Sequence, residues 1–275
     1  MTISVHTNKS ALVALQNLNK TNDELEGVQN RINTGLAIAN AKDNASVWAI
    51  AQGQRSDIGA LSAVKMSLDR AQSISEVSMA AGENVSDLLV QLKEKVVSAQ
   101  DGSLDAQSRS ALDADFKAIL RQISQVIQNA SFDGADILDG TTTSLRFLAN
   151  ADANSYITLT GQDMSLGGAI ITIPSTSSIT TVTLAAQALT DLNTSISNVN
   201  QALGNLGAQA KQIEGHNKFV GKLTDVLQAG IGNLVDADVA KESARLQALQ
   251  VQQQLGTQAL SIANQAPQII LSLFK

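Results

Sequence analysis

The side chains that most often do chemistry in proteins are sparse in this sequence of 275 residues. It contains no cysteine and two histidines, His6 and His216, which lie in separate helical regions. A zinc site needs three or four converging Cys, His or carboxylate ligands. The two histidines are therefore predicted to serve surface or packing roles, and no metal site is expected.

Two Asp-Ala-Asp triplets, at 113–115 and 236–238, come nearest to a carboxylate cluster. Within each triplet the carboxylates are two residues apart, and positions i and i+2 do not share a face of a helix. Aspartate is favoured instead at the N-cap and near the positive end of the helix dipole. We predict that both triplets mark helix starts or turns.

Motifs of enzymes and phosphate binders are missing from the sequence. No serine stands in a G-x-S-x-G motif, and the segment 166–168 (LGG) lacks the lysine and the strand–helix context of a phosphate-binding loop. The sequence predicts no enzyme, no catalytic residue and no cofactor.

Composition and charge restrict the partners. The net charge is −6 and the pI about 4.9, so neither nucleic acid nor an anionic membrane surface is an expected partner. No run of about 18 apolar residues predicts a membrane span, and residues 1–20 lack the pattern of a cleaved secretory signal. Taken alone, these features indicate a cytoplasmic, soluble protein, and two prolines in the whole chain favour long helices.

The longest regular pattern is a seven-residue apolar repeat over 192–234, with a second row four residues on. This spacing is typical of a coiled-coil seam. At 1.5 Å per residue the run is about 65 Å long, so it needs partner helices of similar length, running antiparallel to it. The predicted core of this long-helix rod consists of Leu89, Leu92, Val96, Phe116, Ile123, Leu192, Val199, Leu206, Ile213, Val220 and Leu227.

The pattern of apolar residues, caps and breakers predicts a mostly α-helical fold with one small β element. The expected helices cover 3–35, 57–100, 105–129, 185–234 and 236–264. A β-hairpin is expected over 145–148 and 156–160, and the low-complexity segment 161–183 is predicted to form short strands or an exposed loop.

Both chain ends are slender amphipathic helices, which are marginal in water without a packing partner. Their apolar stripes could form an internal core of one subunit, but seams between subunits are the favoured interpretation. The predicted subunit-interface residues are Leu12, Leu15, Leu18, Leu25, Val28, Ile32, Val239, Leu246, Leu249, Leu260, Ile269, Leu271, Leu273 and Phe274.

Several motifs together resemble bacterial flagellins. They are NLNK and GLAIANAKD near the N-terminus, NASFDGADILDG at 129–140, LGNLGAQ at 203–209 and ANQAPQ near the C-terminus. The matches cover about 1–140 and 185–275, in order and at family-like spacing. The resemblance implies a structural subunit of an extracellular filament that serves motility, secreted through the flagellar type III export channel without a cleaved signal.

The resemblance also implies a domain organisation. Residues 1–35 and 236–275 would form an inner terminal coiled-coil domain, and 36–140 with 185–235 a long-helix rod domain. Residues 141–184 would form the hairpin and a short Ser/Thr-rich variable region. The implied partners are other flagellin copies in a helical homopolymer, the filament cap, hook-associated junction proteins and an export chaperone.

Two alternatives remain at this point. A hook–filament junction protein shares the terminal helix pattern, whereas a generic coiled-coil protein would explain the heptads but not the terminal motifs. The hydroxyl cluster of the variable region is either a plain solvated loop or a site of O-glycosylation, as is common in the family. The candidate acceptors are Thr141, Thr142, Thr143, Ser144, Ser175, Thr176, Ser177 and Ser178.

Overall fold

The computed structural model describes the backbone of residues 7–273 and the side chains of residues 7–265. Its elements are α1 (Lys9–Thr34), α2 (Ala45–Ala99), α3 (Ala106–Gln128), β1 (Ser144–Leu148), β2 (Tyr156–Thr160), α4 (Val182–Val235) and α5 (Val239–Leu273). The predicted class, long helices with one small hairpin, is confirmed. The chain divides into two compact units, a terminal unit, Met1–Ser56 with Val226–Lys275, and a central unit, Asp57–Asp225.

Helix α1 begins at Lys9, so the predicted start at residue 3 is wrong, and its sequence provides caps at both ends. The side chain of Asn8 accepts a hydrogen bond from the backbone N–H of Ala11, which satisfies one of the free donors of the first turn. Gly35 ends the helix in the left-handed conformation, with φ of 70°, which glycine adopts without steric cost.

Helix α2 begins at Ala45, twelve residues before the predicted start at 57, so that boundary is wrong. Asn44 caps it, since its side-chain oxygen accepts from the N–H of Val47. The first turns are rich in alanine and mostly exposed, with Ala51 the buried exception. An alanine-rich exposed helix has high propensity but little apolar periodicity, which is why periodicity missed it. Trp48 is half-buried there.

The hairpin forms within one residue of its predicted position. The strands β1 and β2 pair antiparallel, with Phe147 opposite Ile157, and both side chains are buried. Each strand is tied to a long helix, because Ser67 of α2 accepts from the N–H of Leu148 and Gln209 of α4 accepts from the N–H of Thr160.

The core of the central unit follows the heptads of its helices. The predicted core residues of α2, α3 and α4 that fall within this unit are all buried: Leu89, Leu92, Val96, Phe116, Ile123, Leu192, Val199, Leu206, Ile213 and Val220. Leu227, in the terminal unit, is half-buried. In α2, a Cβ atom on Gly82 would lie 2.7 Å from Cδ2 of Leu203, so this glycine permits the close approach of α4.

The segment between the hairpin and α4 forms neither the short strands nor the exposed loop that the sequence predicted. Four of its apolar side chains, Met164, Ile171, Ile173 and Ile179, are fully buried, while Leu166 and Ile170 are half-buried. Thr172 fixes it to α4, donating from its backbone N–H to Oγ of Ser195 and from its hydroxyl to the carbonyl of Asp191. Ile171, Ile173 and Ile179 thus fix this segment, 161–181, as a strap with one buried side. Its Ser- and Thr-rich low complexity obscured that role in the sequence.

Helix α5 continues to Leu273, so the predicted break at 264–267 is wrong. Pro267 lies inside the helix. A proline within a helix removes one backbone hydrogen bond but does not always end the helix. No helix among the described residues has the length and apolar character needed to cross a membrane.

Candidate assembly surface

The terminal helices α1 and α5 pack side by side in the terminal unit. Their polar contacts show that they run antiparallel: Arg31 pairs with Glu242 at 3.2 Å, Glu24 with Arg245 at 3.7 Å, and Asn22 accepts from Gln253 at 2.8 Å. The helices of the two chain ends thus pair antiparallel within one subunit.

Backbone contacts hold the two chain segments together where α1 ends and α5 begins. The N–H groups of Ala37 and Ile38 both donate to the carbonyl of Val235, and that of Ala237 donates to the carbonyl of Gly35. Asp238 caps α5 by accepting from the N–H groups of the second and third residues after it. The second Asp-Ala-Asp triplet therefore has its predicted role at a turn and helix start.

The seam between α1 and α5 is only partly closed. Val28 and Leu249 are buried, and Leu18 approaches α5 so closely that a Cβ atom on Gly256 would lie 3.2 Å from its Cδ1. The half-buried members are Leu18, Leu25, Ile32, Leu246 and Leu260. The predicted interface residues Ile269, Leu271, Leu273 and Phe274 have side chains outside the described residues.

Other apolar side chains of the pair are open to solvent. Leu12 is 58% exposed and Leu15 43%, and Val239 is also exposed. On α5 a second stripe, absent from the sequence-based prediction, consists of Val251, Leu255 and Ile262, the last 69% exposed. Its +4, +7 spacing lies on one helix face and could have been found by scanning α5 for a second register. These exposed apolar side chains make the helix pair a candidate interaction surface.

The first Asp-Ala-Asp triplet lies in the middle of α3, so its predicted role at a helix start or turn is wrong. The carboxylate of Asp113, 6% exposed, accepts from the backbone N–H of Ile179 and the hydroxyl of Ser178, both at 2.8 Å. Nζ of Lys117 lies 2.7 Å from Oδ2 of the same carboxylate and forms an ion pair with it. Burial acts to raise the pKa of Asp113, but the bonds from Lys117, Ile179 and Ser178 outweigh it and hold the pKa below its ordinary value.

The two histidines were the remaining candidates for a metal site. His216 contacts the carbonyl of Ala149 through Nε2 at 2.7 Å, and its ring lies against Phe219. His6 lies outside the described residues. In the part of the chain that the structure describes, no three His, Cys, Asp or Glu side chains are grouped as metal ligands would be.

The hydroxyl groups predicted as glycosylation acceptors differ in their access to solvent. Thr142, Ser177 and Ser178 are half-buried, whereas Thr141, Thr143, Ser144, Ser175 and Thr176 are exposed. The hydroxyl of Thr141 donates to the carboxylate of Asp139.

Comparison with known proteins identifies the family of the chain. Residues 5–143 match the model of the bacterial flagellin N-terminal helical region, and residues 189–274 that of the C-terminal helical region. Flagellin FljJ of Caulobacter vibrioides is 55% identical, with 100% of this chain and 99% of that protein aligned. A flagellin of Brucella melitensis is 40% identical over 99% of both chains.

Two solved structures share the fold at low identity. A Bacillus cereus flagellin aligns with a TM-score of 0.50 and 19% identity, over 56% of this chain and 88% of its own. A Vibrio parahaemolyticus protein described as flagellar hook-associated aligns with a TM-score of 0.56 and 12% identity, over 70% and 100%. At such identities the likeness supports the fold alone, whereas the two family models and the full-length relatives show that the chain belongs to the bacterial flagellins and is a structural subunit of the extracellular flagellar filament.

Proposed function

We propose that the subunit enters the filament through the apolar surface of α1 and α5 that their pairing leaves open to solvent. The observation that carries this proposal is the apolar surface left open after the two helices have paired, on Leu12 and Leu15 of α1 and on Val251, Leu255 and Ile262 of α5. The apolar side chains between α1 and α5 hold the subunit's own helices together. The apolar side chains left exposed are then available to contact neighbouring copies.

Burial of this surface supplies the driving force for assembly. Each Å² of apolar surface removed from water contributes about 25 cal/mol, against the cost of ordering the chain ends and immobilising a subunit. Repetition of the same contact along a helical homopolymer lets individually weak contacts hold a filament. The sequence-predicted interface residues belong to this surface in part, and Val28 and Leu249 support it from within.

The proposal also covers the domain organisation of the subunit. We assign the inner filament domain to 1–35 with 236–275, the rod domain to 36–140 with 185–235, and the short variable region to 141–184. The open stripe of α5 also suits a chaperone that covers it before type III export, and the filament cap and hook-associated junction proteins as neighbours at the filament ends. This role requires no catalytic residue, cofactor, nucleic acid or membrane.

The exposed hydroxyls of the variable region are the better glycosylation candidates. Thr143, Ser144, Ser175 and Thr176 are open to solvent, whereas Ser178 already donates to Asp113. The intact mass of filament protein tests this: a mass above the 28.8 kDa of the unmodified chain is expected, and agreement with that mass refutes it.

Truncation tests the assembly surface. Removing residues 1–30 or residues 246–275 is expected to abolish filaments seen by electron microscopy, while circular dichroism still reports a helical central unit. Removal of the exposed tip of the hairpin, residues 151–154, serves as the control and is expected to leave filaments intact. Normal filaments from either terminal truncation contradict the proposal.

A further inference from the structure

Asn8 joins the two terminal helices through both ends of its amide. Its Oδ1 accepts from the N–H of Ala11 at 3.1 Å, which caps α1, and its Nδ2 donates to the carbonyl of Ala263 in α5 at 2.7 Å. The two partners fix the orientation of the amide, because one is a donor and the other an acceptor.

The carbonyl of Ala263 is an unusual acceptor within α5. In an α-helix each carbonyl accepts from the N–H four residues later. For Ala263 that residue is Pro267, which has no N–H. The helix nevertheless continues past this position to Leu273. The side chain of Asn8 thus supplies the donor that proline withholds from the carbonyl of Ala263.

The double contact explains why asparagine stands at this position. Serine, threonine and aspartate cap a helix about as well, but none of them offers an N–H donor alongside the capping oxygen. An amide on a short stem meets both requirements.

The contact lies where the apolar seam is weakest. Moving inward from the chain ends, the next cross-helix side-chain hydrogen bond among the described residues joins Asn22 and Gln253. Between these two contacts Leu12 is 58% and Leu15 43% exposed to solvent. A groove of about 390 Å³ lies here, lined by Thr7, Asn8, Ala11, Leu12, Leu15, Leu260 and Asn264.

We propose that Asn8 and Pro267 act as a matched pair that fixes the register of α1 on α5. Pro267 frees the carbonyl of Ala263, and Asn8, a positioning residue, uses it to hold the first turn of α1 against α5. The consequence for filaments rests on the proposed function, because the pair then sets which apolar side chains face neighbouring subunits.

A double-mutant cycle in the full-length monomer tests the pair. Asn8→Ser keeps a neutral capping oxygen but loses the separate amide N–H₂ that reaches Ala263, because its one hydroxyl lies on a shorter side chain at the capping position. Pro267→Ala gives the carbonyl of Ala263 a backbone N–H of its own helix. The chain has no native cysteine, so cysteines at Ala11 and Leu260 report the contact through their rate of disulfide crosslinking. A second cysteine pair, at Asn22 and Gln253, reports the rest of the seam.

Asn8→Ser is expected to slow crosslinking at the first pair about fivefold, as the loss of one hydrogen bond predicts, and to leave the second pair unchanged. In the Pro267→Ala background the same substitution should change the rate less than twofold. Asn17→Ser, an exposed site of the same helix, is the matched control and should have no effect. An unchanged rate for Asn8→Ser, or an equal loss in both backgrounds, overturns the proposal.

Filament growth separates this inference from the assembly surface. Coupled crosslinking rates together with normal filaments from Asn8→Ser would uphold the pair and remove its link to assembly. Failed filaments from the terminal truncations, with no coupling between Asn8 and Pro267, would uphold the assembly surface and reject the pair.

Discussion

The terminal and central units both pair helices through apolar residues at heptad spacing, but they bury these apolar stripes to different extents. In the central unit the heptad positions of α4 from Leu192 to Val220 are fully covered, and the hairpin and the strap add further buried apolar side chains. In the terminal unit α1 and α5 bury Val28 and Leu249 but leave Leu12 and Ile262 open. One apolar pattern therefore serves folding in the central unit and leaves surface for association in the terminal unit.

The largest expected effect comes from placing a charge at an apolar position, first in the central unit and then in the terminal unit. Leu206→Asp puts a carboxylate at a fully buried site of α4 and should destabilise the monomer by at least about 4 kcal/mol. Leu12→Asp, at an exposed site of α1, should leave the monomer's melting temperature unchanged and abolish filaments. Thermal unfolding by circular dichroism and electron microscopy measure the two effects. An unchanged melting temperature for Leu206→Asp would show that the central unit does not depend on its buried apolar stripe for folding.

The second prediction concerns the strap of the central unit. Asp113→Ala leaves the buried N–H of Ile179 without its acceptor and should lower the free energy of unfolding by about 2 kcal/mol. Asp115→Ala is the control, because that carboxylate is exposed and pairs with Lys95 at the surface, where ion pairs contribute less than about 1 kcal/mol. Equal losses in urea unfolding would show that Asp113 does not anchor the strap.

The pH dependence of the same contact sharpens this prediction. Since the folded state lowers the pKa of Asp113 below the ordinary value of 3.8, the stabilisation is complete above that value and is lost as the pH falls through the folded pKa. The difference in unfolding free energy between the unaltered chain and Asp113→Asn should be constant near neutral pH and shrink below about pH 4. A difference in unfolding free energy that grows on acidification would contradict the lowered pKa of Asp113.

The smallest expected effect lies in the terminal unit. The ion pair between Arg31 and Glu242 is mostly shielded from solvent, so Arg31→Gln should weaken the α1–α5 seam by about 1 kcal/mol. This loss should appear as roughly fivefold faster hydrogen exchange at Val28. Lys218→Gln, which breaks an exposed pair with Glu214 in α4, should change no exchange rate in α1. Slower exchange at Val28 in Arg31→Gln would show that the pair costs stability.

Local chemistry predicted the elements well where caps and periodicity agree. The Thr34-Gly35 stop of α1, the extent of α3 and the hairpin all follow from residues within a few positions of the boundary. Two misjudged boundaries, the start of α2 and the break at 264–267, depend on features that the local pattern does not display. An exposed alanine-rich turn carries no apolar signal, and a proline indicates a stop unless a distant donor is known.

The candidate surface was predicted in part. The first stripe of each terminal helix was found from spacing, whereas the outer stripe of α5 and the strap contact of Asp113 were missed. Asp113 and Ile179 are 66 residues apart, and no pattern in either segment indicates the other.

The sequence by itself determined the long helices, the hairpin, the family and the absence of cysteine chemistry, because these depend on residue type and short-range spacing. Only the tertiary structure decided which half of each apolar stripe is covered, which carboxylate is buried, and how the carbonyl released by Pro267 is satisfied. Those outcomes depend on which distant segment lies opposite, and an amphipathic helix specifies that it needs a partner without specifying which one.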